Sequence, residues 1–388
     1  MANYNAHMTI RVVSIISRMN IGGPAKLLAD LINHIPEEEI EHILISGRCE
    51  SDENDLLDTY KIKSKIIYLD DVQRSIFLLK DLKSMFALYF ILRKLKPAIV
   101  HTHLSKAGVL GRIAAKISNP KVVLIHTFHG HLLNGYFNKP KVKIIIGIEK
   151  FLSQFTNTLV AVSKDVREKY SILGIGKRAN WVVINPGIRE ATQNTQSNTR
   201  DLTPTTKSFN LIWIGRFAEI KNPKLALEVF YSLQSNKKFT FQLTMIGDGK
   251  LLADCKNFAL DKKLEVNFTG WMPDVSQELA KADLLLFTSE NEGFGMVAVE
   301  AALQDVLVVS TKCGGVTDFI SHKQTGLIVN QTPIEFTQAI LDICSTSPDF
   351  NEIVTNARIL AKSEFSADSY IEKHLNLYRS SIENNLKR

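Results

Sequence analysis

The run Leu284-Leu-Leu-Phe, followed by Thr-Ser-Glu-Asn-Glu-Gly-Phe-Gly and then by Met296-Val-Ala-Val-Glu300, limits the choice of fold more than any other part of the sequence. Four uninterrupted apolar residues suit a central strand covered on both faces. The turn after them concentrates polar side chains and glycines, which belong at a ligand-facing bend rather than in a core. A helix beginning near Phe294 would direct its free N–H groups at any anion above the strand end, with Glu292 and Glu300 able to reach neutral hydroxyls. Acidic residues also favour helix starts on electrostatic grounds alone, so these residues by themselves fit a sugar-nucleotide site and a solvated helix start equally.

The same strand, turn and helix plan recurs along the chain. Residues 10–16 form an apolar run before Ser-Arg-Met-Asn-Ile-Gly22-Gly23, and Pro24 suits the first position of a helix. Residues 209–215 end in Gly215-Arg216, with Lys221 five residues further on and an apolar helix after Asn222-Pro223. Further units read at 242–246, 266–269, 306–310 before Gly314-Gly315, and 326–329. Such alternation specifies parallel sheets covered by helices. The Gly-x-Gly-x-x-Gly fingerprint is missing after the first strand, which disfavours a nicotinamide dehydrogenase.

At 388 residues the chain suits two domains rather than one core. The best boundary is the Thr-, Asn-, Ser- and Gln-rich stretch at 191–208, which separates a first domain at 1–190 from a second at 209–365; residues 366–388 read as a helix able to return to the first domain. Four scattered cysteines give neither a disulfide scaffold nor a metal cluster, and no stretch approaches a membrane span, so a reducing, cytoplasmic setting is expected.

Charge is uneven. Residues 1–190 carry 27 Lys and Arg against 17 Asp and Glu, and within 72–150 the count is 14 against 2. Residues 74–96 and 138–152 interleave these basic positions with aliphatic and aromatic ones. They read either as helices covering a sheet or as a peripheral contact with an anionic membrane. The charge is not organised into a recognition helix or a stacking platform, so nucleic acid is not a partner.

Two strand ends carry histidines. In Ala98-Ile-Val-His-Thr-His103, alternation puts His101 and His103 on one side with Thr102 opposite. The other is His126-Thr-Phe-His-Gly-His131. No acidic or thiolate ligand completes a metal signature there, so no metal is expected. His129, beside Gly130, is the better candidate to touch a reacting substrate, and His101, His103, Lys106 and His131 are candidates on the acceptor or sugar side. Arg216 and Lys221, around one strand-to-helix turn, can neutralise a diphosphate.

Gly215-Arg216 with Lys221, and Glu292-Gly293-Phe294-Gly295 with Glu300, resemble the donor-site motifs of retaining glycosyltransferases of family 4, of GT-B architecture. The Gly22-Gly23 loop, both histidine-bearing strand ends, Asn185-Pro-Gly and Gly314-Gly315 occur in the family's order, so the resemblance covers nearly the whole chain. It implies an α/β fold of two doubly wound Rossmann-like domains facing across a cleft. It also implies retaining transfer of a hexose or N-acetylhexosamine from a nucleotide sugar, most readily UDP-linked, with no cofactor and no required metal. Arg216 and Lys221 would grip the donor phosphates, Glu292 the donor sugar and Glu300 the ribose. Gly22 and Gly23 would let their loop approach the phosphate, and His129 would lie beside the sugar. The histidine segments look most like those of bacterial capsule, exopolysaccharide and O-antigen enzymes, whose acceptors are often polyprenyl-diphosphate sugars. Two departures sit beside the donor positions: Pro24-Ala25-Lys26 replaces an acidic residue, and Ala301 to Leu307 lacks the usual proline. A small-molecule glycoside synthase, a nucleotide-sugar epimerase, a phosphorylase and a non-catalytic sugar- or membrane-binding protein are the competing readings.

Overall fold

A computed structural model describes residues 9–50, 53–72, 78–130, 139–189 and 208–386. The chain divides into two compact units, one of residues 1–187 with 367–388 and the other of residues 188–366.

The first unit is built on seven parallel strands: β1 (Ile10–Ile16), β2 (Ile40–Ser46), β3 (Lys65–Tyr68), β4 (Ile99–His103), β5 (Val123–Phe128), β6 (Thr158–Ala161) and β7 (Asn180–Val183). Their order is β3-β2-β1-β4-β5-β6-β7. The second unit has six: β8 (Ser208–Ile214), β9 (Thr240–Ile246), β10 (Val266–Gly270), β11 (Leu284–Phe287), β12 (Leu307–Thr311) and β13 (Leu327–Val329), in the order β10-β9-β8-β11-β12-β13. All thirteen pair in parallel. Both units are therefore doubly wound Rossmann-like sheets. Strand order reverses between β1 and β4 in one and between β8 and β11 in the other, and the crevice at such a reversal is where this class of sheet binds ligands.

The central strands are apolar because both of their faces are covered. β11 is buried at all four residues and registers Leu284 and Leu285 against Leu211 and Ile212 of β8. One helical layer of the first unit is anchored by Leu88 and Leu92 of the helix Leu78–Leu95 together with Ala107, Leu110 and Ala114 of the helix Ser105–Ser118. Arg112 on that second helix is fully buried and grips both oxygens of Glu149, at 2.7 and 2.8 Å, from the helix Lys139–Ser153. Breaking such a pair by deleting one partner strands a buried charge.

Local signals account for the helix starts. Pro24 lies in the first turn of Gly23–His34, and Ser163 caps Lys164–Ile172 by accepting from the Val166 N–H at 3.2 Å. β5 runs through His126 and Thr127 to Phe128. The polar residues at that end are satisfied across the sheet, where His126 Nδ1 meets Thr102 Oγ1 at 2.9 Å and Thr127 Oγ1 meets His101 Nε2 at 2.7 Å. The helix Ala367–Leu386 belongs to the first unit, and its Tyr378 hydroxyl lies 2.9 Å from His101 Nδ1.

Candidate active site

In the second unit the loops after β8 and β11 meet at the strand reversal. β8 delivers Gly215 and Arg216, a short 3-10 turn Glu219–Lys221 delivers Lys221, and Asn222 then takes a left-handed conformation (φ 46°) while its side chain accepts from the Leu225 N–H. From the other loop comes Glu292, which forms an ion pair with Lys221 and accepts a hydrogen bond from Ser289 Oγ at 2.7 Å. Both side chains are mostly enclosed, Lys221 being 27% and Glu292 13% exposed. Arg216 is exposed; its carbonyl accepts from the Ala218 N–H at 2.7 Å, and among the described residues its guanidinium makes no hydrogen bond or ion pair.

Several contacts hold this arrangement. Thr288 Oγ1 donates toward the carbonyls of Lys221 and Asn222, at 3.0 and 2.8 Å, and accepts from the buried indole N–H of Trp213 at 3.0 Å. The Glu290 N–H reaches the Ile220 carbonyl at 2.9 Å. Gly314 has φ 51°, and a Cβ there would stand 2.0 Å from the Glu292 carbonyl, so only glycine lets the loop after β12 press against the Glu292 backbone. The Gly315 N–H then donates to that carbonyl at 3.1 Å. Gly247 serves likewise after β9, since a Cβ would lie 1.9 Å from the Gly215 carbonyl.

The helix after β11 is Met296–Leu303, two residues later than the glycine run suggests, with Gly295 (φ 92°) before it and Gly293 and the buried Phe294 in the loop. Glu300 is half-buried in its second turn. Of the four donor-side candidates, Lys221 and Glu292 are in contact, while Arg216 lies just after β8 and Glu300 in the helix after β11 of the same sheet. Thr288, Ser289 and Trp213 were missed as supports; the signal was a pair of hydroxyl residues continuing directly from an apolar strand.

In the first unit, Gly22 is extended (φ 168°) and a Cβ there would meet nothing nearer than 3.9 Å, so its missing side chain leaves open space beside the start of the helix Gly23–His34. His101 and His103 do share one side of β4, with ring centroids 4.2 Å apart. Both are buried, and His101 commits its two ring nitrogens to Tyr378 and Thr127. That is a correction to its place on the acceptor side: the helix Ala367–Leu386, distant in sequence, covers it. His103 Nδ1 lies 3.1 Å from Nε2 of the half-buried His129, just beyond β5. Burial, aided by the charge of His374, pushes His129 down to about 3, and the other histidines of this cluster are likewise held neutral by desolvation. Lys106 pairs with Asp81, and His131 lies outside the described residues. Among the described residues, no three His, Cys, Asp or Glu side chains are placed to hold a metal ion.

The helices Leu78–Leu95 and Lys139–Ser153 cover the sheet with one face and leave apolar residues on another. Each packs inward, yet Leu79, Leu82, Phe86 and Phe90 on the first, and Ile144, Ile148 and Phe151 on the second, are exposed at helical spacing. Lys83, Arg93, Lys94, Lys143 and Lys150 are exposed beside them. Among the described residues, no helix is long and apolar enough to cross a membrane.

Comparison with known proteins identifies the family of the chain. Residues 21–191 match the family model described as glycosyltransferase family 4, and residues 194–360 match that of glycosyl transferases group 1. Over an alignment of 399 positions that covers 96% of this chain and 99% of the relative, the chain is 25% identical to an Escherichia coli UDP-Gal:α-D-GlcNAc-diphosphoundecaprenol α-1,3-galactosyltransferase. It is 22% identical to the Staphylococcus aureus capsular polysaccharide biosynthesis glycosyltransferase CapM, over 82% of this chain and 86% of that one. Among solved structures, Anabaena HepE in complex with UDP superposes with a TM-score of 0.76 at 18% identity, covering 96% of this chain and all of that one. Sucrose-phosphate synthase from Thermosynechococcus elongatus gives 0.78 at 18%, covering 95% and 98%. Two Rossmann-like units in sequence, with matched family models across both, identify the chain as a GT-B glycosyltransferase of family 4, resembling the enzymes of bacterial capsule and lipid-linked glycan assembly.

Proposed function

We propose that the chain is a retaining glycosyltransferase that moves a hexose or N-acetylhexosamine from a UDP-sugar to a glycan or polyprenyl-diphosphate-linked acceptor in bacterial surface polysaccharide synthesis. The carrying observation is the Lys221–Glu292 pair at the strand reversal of the second sheet, with Arg216 in the same loop after β8 as Lys221. Two cations at that point suit a diphosphate and the charge it gains on leaving. The E. coli relative, with its UDP-linked donor and diphosphoundecaprenol-linked acceptor, supports the choice of substrates.

In the proposed reaction the bond between the anomeric carbon and the diphosphate oxygen breaks, and its electron pair leaves with the diphosphate. The acceptor hydroxyl oxygen bonds to the same face of that carbon, and its proton passes to the departing diphosphate. Glu292 orients the sugar rather than attacking it, because Lys221 and Ser289 already engage its carboxylate. Glu300 holds the ribose, Gly22, Gly23, Gly293, Phe294 and Gly295 leave backbone close to the donor, and no metal is required. The first unit rests on an anionic membrane surface through its two exposed apolar stripes and their basic flanks.

Incubation with a panel of nucleotide sugars and a membrane lipid extract, followed by mass spectrometry and NMR of the new anomeric centre, tests this reading. A glycosylated acceptor of unchanged anomeric configuration is expected without added divalent metal. An epimerised free donor, a phosphate-dependent sugar phosphate, an inverted linkage, or neither transfer nor hydrolysis would overturn it.

A further inference from the structure

His103 and His129 are neutral imidazoles joined by one hydrogen bond of 3.1 Å, so one ring donates and the other accepts. Two arrangements satisfy that contact. If His129 donated from Nε2, His103 would carry its proton on Nε2, a buried atom with no hydrogen-bond partner. If His103 donates from Nδ1, the same Nε2 holds only a lone pair. An orphaned buried donor is rarer and costlier than an under-used acceptor, so the second arrangement prevails. The His101 ring, 4.2 Å away, tilted by 35° and itself bonded at both nitrogens, packs against the His103 ring that makes this donation.

From this geometry we infer that His103 is a positioning residue that fixes His129 as the Nδ1–H tautomer, making His129 an obligate hydrogen-bond donor to substrate oxygen. The role toward substrate rests on the glycosyltransferase reading above; the tautomer does not. Among the described residues, Nδ1 of His129 makes no hydrogen bond, so its proton is available to a hydroxyl or phosphate oxygen. With Nε2 accepting from His103 and Nδ1 protonated, His129 has no lone pair left to take a proton from the acceptor hydroxyl. The general base of the reaction is therefore not this histidine, and the departing diphosphate is left to fill that role.

Nitrogen-15 spectra of the full chain with labelled histidine, combined with steady-state kinetics, test the assignment. In the wild type, His129 should show a protonated Nδ1 and an unprotonated Nε2. His103→Ala should move the proton to Nε2 and lower kcat about 10- to 100-fold, with the donor KM changed less than about twofold, the pattern of a lost transition-state hydrogen bond. His103→Asn, whose amide can donate from the Nδ1 position, should restore both the tautomer and most of the rate. A wild-type His129 protonated at Nε2, or a tautomer and kcat unmoved by His103→Ala, would overturn the inference. If the wild type transfers no sugar at all, the functional reading fails while the spectra still decide the tautomer.

Discussion

Lys221 and Glu292 stand 71 residues apart in sequence and touch because β8 and β11 are neighbours at the strand reversal. That Lys221 and Glu292 would lie near one another was legible, since each sits in the loop that follows an apolar strand and the two strands are neighbours in the sheet. The supports were less legible. A hydroxyl such as that of Thr288 carries no signal of which carbonyls it will bridge until two loops are folded together. Arg216 and Lys221 should separate on replacement. Arg216→Ala removes an exposed side chain and should leave folding stability within about 0.5 kcal/mol, as for ordinary surface changes. Lys221→Ala releases a partly enclosed carboxylate and should lower stability as well. Both should cut sugar transfer by about 10²- to 10³-fold, the usual effect of removing one group that stabilises developing charge. Thermal melts beside transfer assays check this, and an Arg216→Ala enzyme of full activity would remove that residue from the donor site.

Among elements, the strands were readable from uninterrupted apolar runs, whereas the end of β5 was not, because its histidine and threonine find partners only across the sheet. The environment of β4 was hidden for another reason. What covers His101 is Tyr378, 277 residues later, and no local pattern reports so distant a neighbour. This packing makes the first unit sensitive to acid. Burial, with His374 adding repulsion, pushes His42 down to about 3, and burial pushes His374 itself down to about 4. An unfolded histidine titrates near 6.5, so below that value the unfolded chain binds protons that the folded chain refuses. Their contribution to stability is therefore complete above about pH 6.5 and is lost as the pH falls toward 4, at no more than about 1.4 kcal/mol per pH unit for each histidine. Urea midpoints measured between pH 7.5 and 5 should fall accordingly, and His374→Phe should make the dependence shallower. A flat profile would show that these rings protonate without opening the packing.

Over the whole molecule, the first 190 residues carry a net charge of +10 and the remainder −3, and the exposed aromatic and aliphatic stripes lie on the basic side of that division. The protein should therefore sediment with vesicles containing an anionic lipid, less so at raised salt, and only weakly with neutral ones. Replacing Phe86 and Phe90 together by Ser should weaken binding about 10-fold or more, given the apolar area each would bury. Equal binding to neutral vesicles, or no effect of the double change, would argue that these stripes serve another contact. The placement of the helix Ala367–Leu386 in the first unit has a consequence for synthesis. The ribosome makes this segment after the entire second unit, so the nascent first sheet must wait for the partner of His101, and for Arg379 to reach Glu39. Contacts of such sequence separation form late and slowly. The unit that begins folding first is thus the last to be finished, and during elongation its incomplete face is the part of the chain most in need of a chaperone.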